Sequence, residues 1–355
     1  MDELLISSDS HVTVHHDQVK ERLAAAFHDD YDEATAQFQR RVMSAPAGAA
    51  NQSMMQSFSH PAFGRPGNAD PHERLLDMDT DGVQTEVLYC EVSAYRFLYR
   101  IRRGWQEATH AFNDTLRDFA AVDPKRLVVS YQIPIHDIEF AAREVHRIAE
   151  SGGKSLQLPV FPTELDLPDY YDERYDPLWA AVQETDLPIC LHIGLKTGLE
   201  DLAQRDPTPQ KALMATMTGL SSGEAIGMWL LGGTLEKFPR LKVVFVEAGL
   251  LWVAWFLNSL DDKVVRRGYK YPAISELPSF YFHRNVFLTY IDEPDAIQLL
   301  RHRIGVENIM WSSDYPHPVS SWPNSRAMVE KSLQGVPADE RELITSGNAA
   351  RVWNL

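Results

Sequence analysis

Short runs of aliphatic and β-branched residues recur along the chain, at 4–7 (LLIS), 85–90 (TEVLYC), 127–133 (LVVSYQI), 155–159 (SLQLP), 188–193 (PICLHI), 242–246 (KVVFV), 286–290 (VFLTY) and 309–312 (IMWS). Near-continuous apolar character is what a parallel strand covered on both faces requires. Between them, residues 108–121, 138–151, 177–184, 222–238 and 294–302 place apolar side chains three and four apart, the spacing of a helix with one buried face. Eight strands with helices repeatedly between them predict an α/β fold, a (β/α)8 TIM barrel with right-handed crossovers, as one domain over residues 1–355. A doubly wound open sheet accounts for the pattern less well, because no glycine-rich turn follows any strand, and Gly152 and Gly153 precede one instead.

Two stretches exceed a minimal barrel. Residues 18–71 separate the first two strands and contain SAPAGAANQSMMQSFSHPAFGRPGNADP, and a connection of this length is more often functional than filler. It is read as a partly helical lid inserted after the first strand. Residues 194–221, after the fifth strand, are expected to cover the same mouth.

Charge changes the picture by exclusion. The chain of 355 residues carries 34 Lys and Arg against 50 Asp and Glu, a formal net charge of −16, which repels nucleic acid and anionic membrane surfaces. The longest apolar segment, 243–257, contains Glu247 and falls short of the roughly 20 residues that cross a bilayer. Cys90 and Cys190 each end an apolar run and read as buried small hydrophobes, consistent with a reducing, cytoplasmic location.

In a barrel of this kind, chemistry collects at the carboxyl ends of the strands. Those ends are polar here: Asp9 and His11 after the first strand, Glu91 after the second, Gln132 and Gln157 on the third and fourth, His192 on the fifth, Glu247 on the sixth and Asp314 on the eighth. Imidazoles and carboxylates converging without thiolates are the donors that Zn, Mn or Fe takes as a divalent ion. In Asp9-x-His11, residues i and i+2 of an extended segment point the same way.

The stretches SSDSHV, LLDMDTDGVQTEVLY, YDPLWAAVQETDLPICLHIG, FVEAGLLWVAWFL, SSDYPHPVSSWPNS and GNAARVW resemble the amidohydrolase-related proteins grouped with aminocarboxymuconate-semialdehyde decarboxylase. The resemblance implies a metal-dependent barrel enzyme that hydrolyses, non-oxidatively decarboxylates or hydrates a small organic acid, and the expected partner is such an acid or its thioester. It places metal ligands on Asp9, His11, His192 and Asp314. Asp314 or Glu247 would then move a proton, and His317 would donate a proton or orient a carboxylate.

Three departures from the family pattern add donors. The opening motif continues Val14-His15-His16, the sixth strand ends in Glu247 where decarboxylases of the family carry a histidine, and the second strand ends Cys90-Glu91. An added carboxylate at a barrel mouth is costly to desolvate alone, and a second cation would neutralise it. The alternative expectation is therefore a dinuclear site, with two Fe bound by His16, Glu91 and Glu247 in addition to the four family ligands, and monooxygenase chemistry.

For the substrate, Arg96 or Arg102 could hold a carboxylate, while Tyr95, Trp252, Tyr315 and Trp322 could line an apolar pocket for an aromatic or otherwise apolar acid. Residues 256–272 mix apolar and charged positions as the interface helix of a homodimer does.

Overall fold

A computed structural model describes residues 3–44, 64–90, 97–194, 197–209 and 211–355. Its strands are β1 (Ile6–Val12), β2 (Thr85–Cys90), β3 (Leu127–Gln132), β4 (Ser155–Gln157), β5 (Ile189–His192), β6 (Val243–Val246), β7 (Val286–Tyr290) and β8 (Ile309–Trp311). Each pairs in parallel with the next in chain order. A parallel bridge between Ser10 and Tyr315 brings the two edges together, with the His11 N–H donating to the Tyr315 carbonyl at 2.6 Å and the Asp314 N–H to the Asp9 carbonyl at 2.9 Å. The expected (β/α)8 barrel is what the chain forms.

The barrel interior is packed at its lower end. Ile6, Val87, Val128, Cys190, Val244, Phe287 and Met310 form one buried cluster with Trp353 of the C-terminal helix Asn348–Trp353. The Trp353 indole N–H donates to the Ser155 hydroxyl at 3.1 Å, so this ring stoppers the floor and leaves polar groups to the upper end. A larger apolar layer, including Trp179, Trp229 and Tyr175, fills the space between strands and outer helices. Burial of such aromatic side chains is the main stabilising term of the shell.

Local signals set the helix limits. Asp70 caps helix Pro71–Asp81 by accepting the His72 and Glu73 N–H groups, and Gly82, at φ +72°, ends it. Helix Ile138–Glu150 starts where the Asp137 carboxylate accepts the Phe140 N–H. The helix expected at 222–238 is instead Ala212–Leu231 followed by a turn at Thr234–Lys237, because Gly232 and Gly233 interrupt it and Gly233 adopts φ +89°.

The first strand differs most from its expected limits of 4–7. It runs to Val12, because Ser10, His11 and Val12 pair with Leu88, Tyr89 and Cys90 after a register shift between Ser7 and Ser10. Its polar side chains are all buried, which hides a strand from any reading of apolar runs.

Of the insertion 18–71, helices His16–Arg22 and His28–Ser44 are formed, and Val19, Leu23, Tyr31 and Ala34 are buried in the main core. Residues 45–63 lie outside the described residues. After β5 come helix Thr197–Arg205 and the first turns of Ala212–Leu231. Cys90 and Cys190 are both buried free thiols. Among the described residues, no helix is long and apolar enough to cross a membrane.

Candidate metal centre

Asp9 and His11 on β1, His192 at the end of β5, Glu247 just after β6, and Asp314 and His317 after β8 meet at the upper end of the barrel. Three overlapping groups have donor atoms within 4.8 Å of one another: Asp9, His11 and His192; His11, Asp314 and His317; Asp9, Glu247 and Asp314. The His11 Nε2 lies 3.1 Å from Asp314 Oδ1, and the His192 Nε2 lies 3.4 Å from Asp9 Oδ1 and 3.9 Å from Glu247 Oε2. The rings of His11 and His317 stack at 3.9 Å, with 20° between their planes.

The backbone around these side chains is held on several sides. The His11 carbonyl accepts from Arg74 Nη1 at 2.7 Å, and the Asp9 carbonyl accepts from the Ser7 hydroxyl at 2.7 Å. Glu247 and Asp314 both adopt left-handed backbone, at φ 60° and 54°. Such conformations in non-glycine residues cost energy and persist where the surroundings enforce them, which is common at functional sites. The Glu247 N–H donates to the Thr289 hydroxyl at 2.8 Å, and the Glu293 carboxylate accepts the Leu250 and Leu251 N–H groups of the same loop.

His192 also has a defined tautomer. Its Nδ1 lies 3.0 Å from the Ile193 carbonyl, which can only accept, so Nδ1 carries a hydrogen and the neutral ring, the form a metal binds, presents its Nε2 lone pair to the cluster. This is the second contact that metal-binding imidazoles usually make.

Both carboxylate oxygens of Asp9, both of Asp314, and the Nε2 atoms of His11 and His192 are buried without a hydrogen-bond partner among the described residues. The distances above are ion-pair contacts lacking hydrogen-bond geometry. So many orphaned donors facing one point fit a hard divalent cation, since buried polar groups are otherwise satisfied.

Electrostatics agree. Burial raises the Asp314 carboxyl well above its ordinary range, reinforced by Glu247 and Asp9. Burial also raises Glu247, against the opposing influence of His192 and with support from Asp9. For His192, burial favours the neutral ring, but the neighbouring Asp9 and Glu247 charges outweigh it and bring the imidazole to about 9. His317, half-buried, is held down at about 4 by its partial burial and by the neighbouring His192. On protein groups alone, crowded negative charge is balanced by protons, and a divalent cation supplies the same positive charge.

The other expected site residues are not among these groups of donors. His16 is not in any of these groups; its Nδ1 is bonded to the Tyr31 hydroxyl at 2.8 Å and its ring packs on Phe97. Glu91, Tyr95 and Arg96 lie outside the described residues, and Arg102 is exposed. The Trp252 indole donates to the Ala248 carbonyl, with its ring against Phe256. The Tyr315 hydroxyl and the Trp322 indole both bond Asp77, and Arg65 lies 3.9 Å above the Trp322 ring, so both aromatics buttress the turn after β8.

Sequence reading missed Arg74, which is fully buried and joins the His11 carbonyl to Glu86 on β2. The available signal was Glu86 itself, a charge inside the apolar run TEVLYC that needs a partner.

Residues 15–355 match the model of the family described as Amidohydrolase. The chain belongs to the amidohydrolase family. It is thereby placed with metal-dependent hydrolases and carboxy-lyases. A γ-resorcylate decarboxylase of Polaromonas sp. is 27% identical over 312 residues, covering 79% of this chain and 89% of that protein. A 2-amino-3-carboxymuconate-6-semialdehyde decarboxylase of Dictyostelium discoideum is 21% identical, covering 81% and 77%. Among solved structures, 5-carboxyvanillate decarboxylase from Sphingomonas paucimobilis superposes with TM-score 0.75 at 23% identity, covering 100% of both chains. A dihydroxybenzoic acid decarboxylase from Polaromonas sp., with bound manganese and the inhibitor 2-nitroresorcinol, gives TM-score 0.72 at 20% identity over 100% of this chain and 98% of that one. These structural likenesses establish the shared fold.

Proposed function

We propose that this chain is a divalent-metal-dependent, non-oxidative decarboxylase of a small aromatic carboxylic acid. The observation that carries this reading is the set of orphaned, buried oxygens and nitrogens of Asp9, His11, His192 and Asp314 around one point. Curated relatives named as decarboxylases, at 27% and 26% identity, support the reaction class. Manganese in structures of the same fold supports Mn among the candidate ions.

In this reading Asp9, His11, His192 and Asp314 hold the ion, which when bound polarises the substrate carboxylate and a neighbouring oxygen. The protein does the remaining work. The Ile193 carbonyl keeps His192 in the tautomer that offers Nε2. Loss of CO2 leaves an electron pair on a ring carbon, and a proton must replace the departing group. The buried Asp314 and the half-buried Glu247 are the acids at the centre that can carry it, and His317, stacked on His11, adjoins Asp314 at 3.8 Å.

The test is turnover of hydroxybenzoates by the manganese-loaded protein in D2O. The reading expects release of CO2 and one deuterium at the vacated ring carbon. Consumption of O2 without CO2 release would overturn it.

One observation favours a second reading. Asp9, Glu247 and Asp314 form an all-carboxylate group beside the group containing both His11 and His192. Two cations, such as two Fe, would be balanced by these donors, and the chemistry would then be that of a dinuclear oxygenase acting on an organic acid or thioester. Metal analysis decides it: two equivalents per chain falling to one in Glu247→Gln supports this reading, and one equivalent in both removes it.

A further inference from the structure

We propose that Gln132 reads a hydroxyl substituent on the ring of the substrate, an inference that rests on the aromatic-acid reading above. Gln132 is the last residue of β3 and is 3% exposed. Side chains alternate along a strand, so Gln132 points the same way as Ser130 and Val128. Val128 belongs to the cluster inside the barrel, and the Ser130 hydroxyl meets that of Ser155 on β4 at 2.7 Å. Gln132 therefore faces the barrel axis, at its upper end. Gln157, its register partner on β4, does so as well, one strand away from β5 with its His192.

The carboxamide is half satisfied. Its Nε2 donates to Gln157 Oε1 at 2.8 Å, and its own Oε1 is buried without a partner among the described residues. A buried amide oxygen left unbonded costs about 1–3 kcal/mol, which a donor arriving with the ligand recovers. The residue is also fixed by three side chains behind it. The Gln132 N–H donates to Asn113 Oδ1 at 2.9 Å, and Asn113 Nδ2 donates to the Gln132 carbonyl at 3.0 Å and to Glu144 Oε1 at 2.7 Å. Arg147 clamps Glu144 with two bonds of 2.7 Å. A chain of hydrogen bonds from an outer helix thus fixes the main chain from which the carboxamide projects, while Gln157 holds the carboxamide itself.

A phenolic hydroxyl suits this acceptor. It donates to the free oxygen, whereas an unsubstituted ring carbon would leave that oxygen buried and unpaired, and sites of this kind reject the analogue lacking the group.

The experiment measures affinity by calorimetry on the manganese-loaded protein for benzoate and its 2-hydroxy, 3-hydroxy and 4-hydroxy derivatives. The expected result is that one hydroxylated isomer binds about tenfold or more tightly than benzoate, and that Gln132→Met abolishes this preference, so that the isomer and benzoate bind alike. Gln132→Glu retains an acceptor, to which the Gln157 amide can turn and donate, and is expected to keep the preference. An unaltered preference in Gln132→Met overturns this inference alone. Failure of every benzoate to bind the parent protein overturns it together with the aromatic-acid reading.

Discussion

Arg74 sits directly behind His11: its Nη1 donates to the His11 carbonyl at 2.7 Å while its Nε contacts the Glu86 carboxylate at 2.5 Å. The guanidinium also stacks 4.3 Å from the Tyr315 ring, so one fully buried cation ties β1 and β2 to the turn that carries Asp314. Ser10, one residue before His11, completes the link by donating to Glu86 at 3.3 Å.

Removing that cation strands Glu86. Burial already lifts its carboxyl above the ordinary range, with Arg74 the main opposing influence. Arg74→Met is expected to destabilise the fold by about 3–5 kcal/mol, and the double variant Arg74→Met with Glu86→Leu by clearly less, because no charge is then left unpaired. Denaturant midpoints of the three proteins check this, and equal losses in single and double variants would contradict it.

The tautomer of His192 yields a prediction for metal binding. His192→Ala removes the Nε2 lone pair from the centre and is expected to weaken retention of a divalent ion by at least about a hundredfold, without unfolding the barrel. Metal content after dialysis against graded chelator, with circular dichroism as the control, measures it. Retention equal to the parent would take His192 out of the ligand set.

Much of this arrangement could be read from the chain. The eight apolar runs recover every strand, because parallel strands buried on both faces leave a near-continuous signature. Asp9, His11, His192, Glu247 and Asp314 stood out as polar residues where such runs stop. Less visible was anything whose meaning depends on a partner far away in sequence. β1 extends to Val12 because Leu88, Tyr89 and Cys90 pair with it, although its residues are mostly polar. His16 follows the opening motif like an added ligand, yet helix His28–Ser44 brings Tyr31 within 2.8 Å of its Nδ1. Gln132 marked a strand end without a role, which emerges only from the Asn113, Glu144 and Arg147 chain behind it.

That chain has a pH signature. Burial would raise the Glu144 carboxyl, but hydrogen bonds from Arg147, His110 and Asn113 outweigh it and hold the group down at about 2. A carboxyl depressed in the folded state contributes stability above its unfolded value near 4.5, and that contribution fades as pH falls from there towards 2. Glu144→Gln is expected to lose on the order of 2–3 kcal/mol at pH 7 and to flatten the decline of stability between pH 4.5 and 2. Chemical denaturation across that range checks it. An acid limb as steep as the parent's would assign the loss to other carboxylates.

Glu247 offers the sharpest separation of stability from function. At φ 60° the backbone bears a penalty that glycine does not, and the side chain is a carboxylate 3.9 Å from His192 in a buried cluster of like charges. Replacing it should therefore help the metal-free fold and harm the chemistry. Glu247→Ala removes the carboxylate but keeps the left-handed strain, whereas Glu247→Gly removes both. The glycine variant is expected to be more stable than the alanine variant by about 1 kcal/mol, the reverse of the order at an ordinary backbone position. Both should lose most of their activity, since neither can hold or move a proton at that point. Thermal midpoints of the metal-free proteins, read beside turnover of the loaded ones, test the two effects independently. An alanine variant as stable as the glycine variant would show that the left-handed turn carries no strain, and full activity in either would remove Glu247 from the reaction.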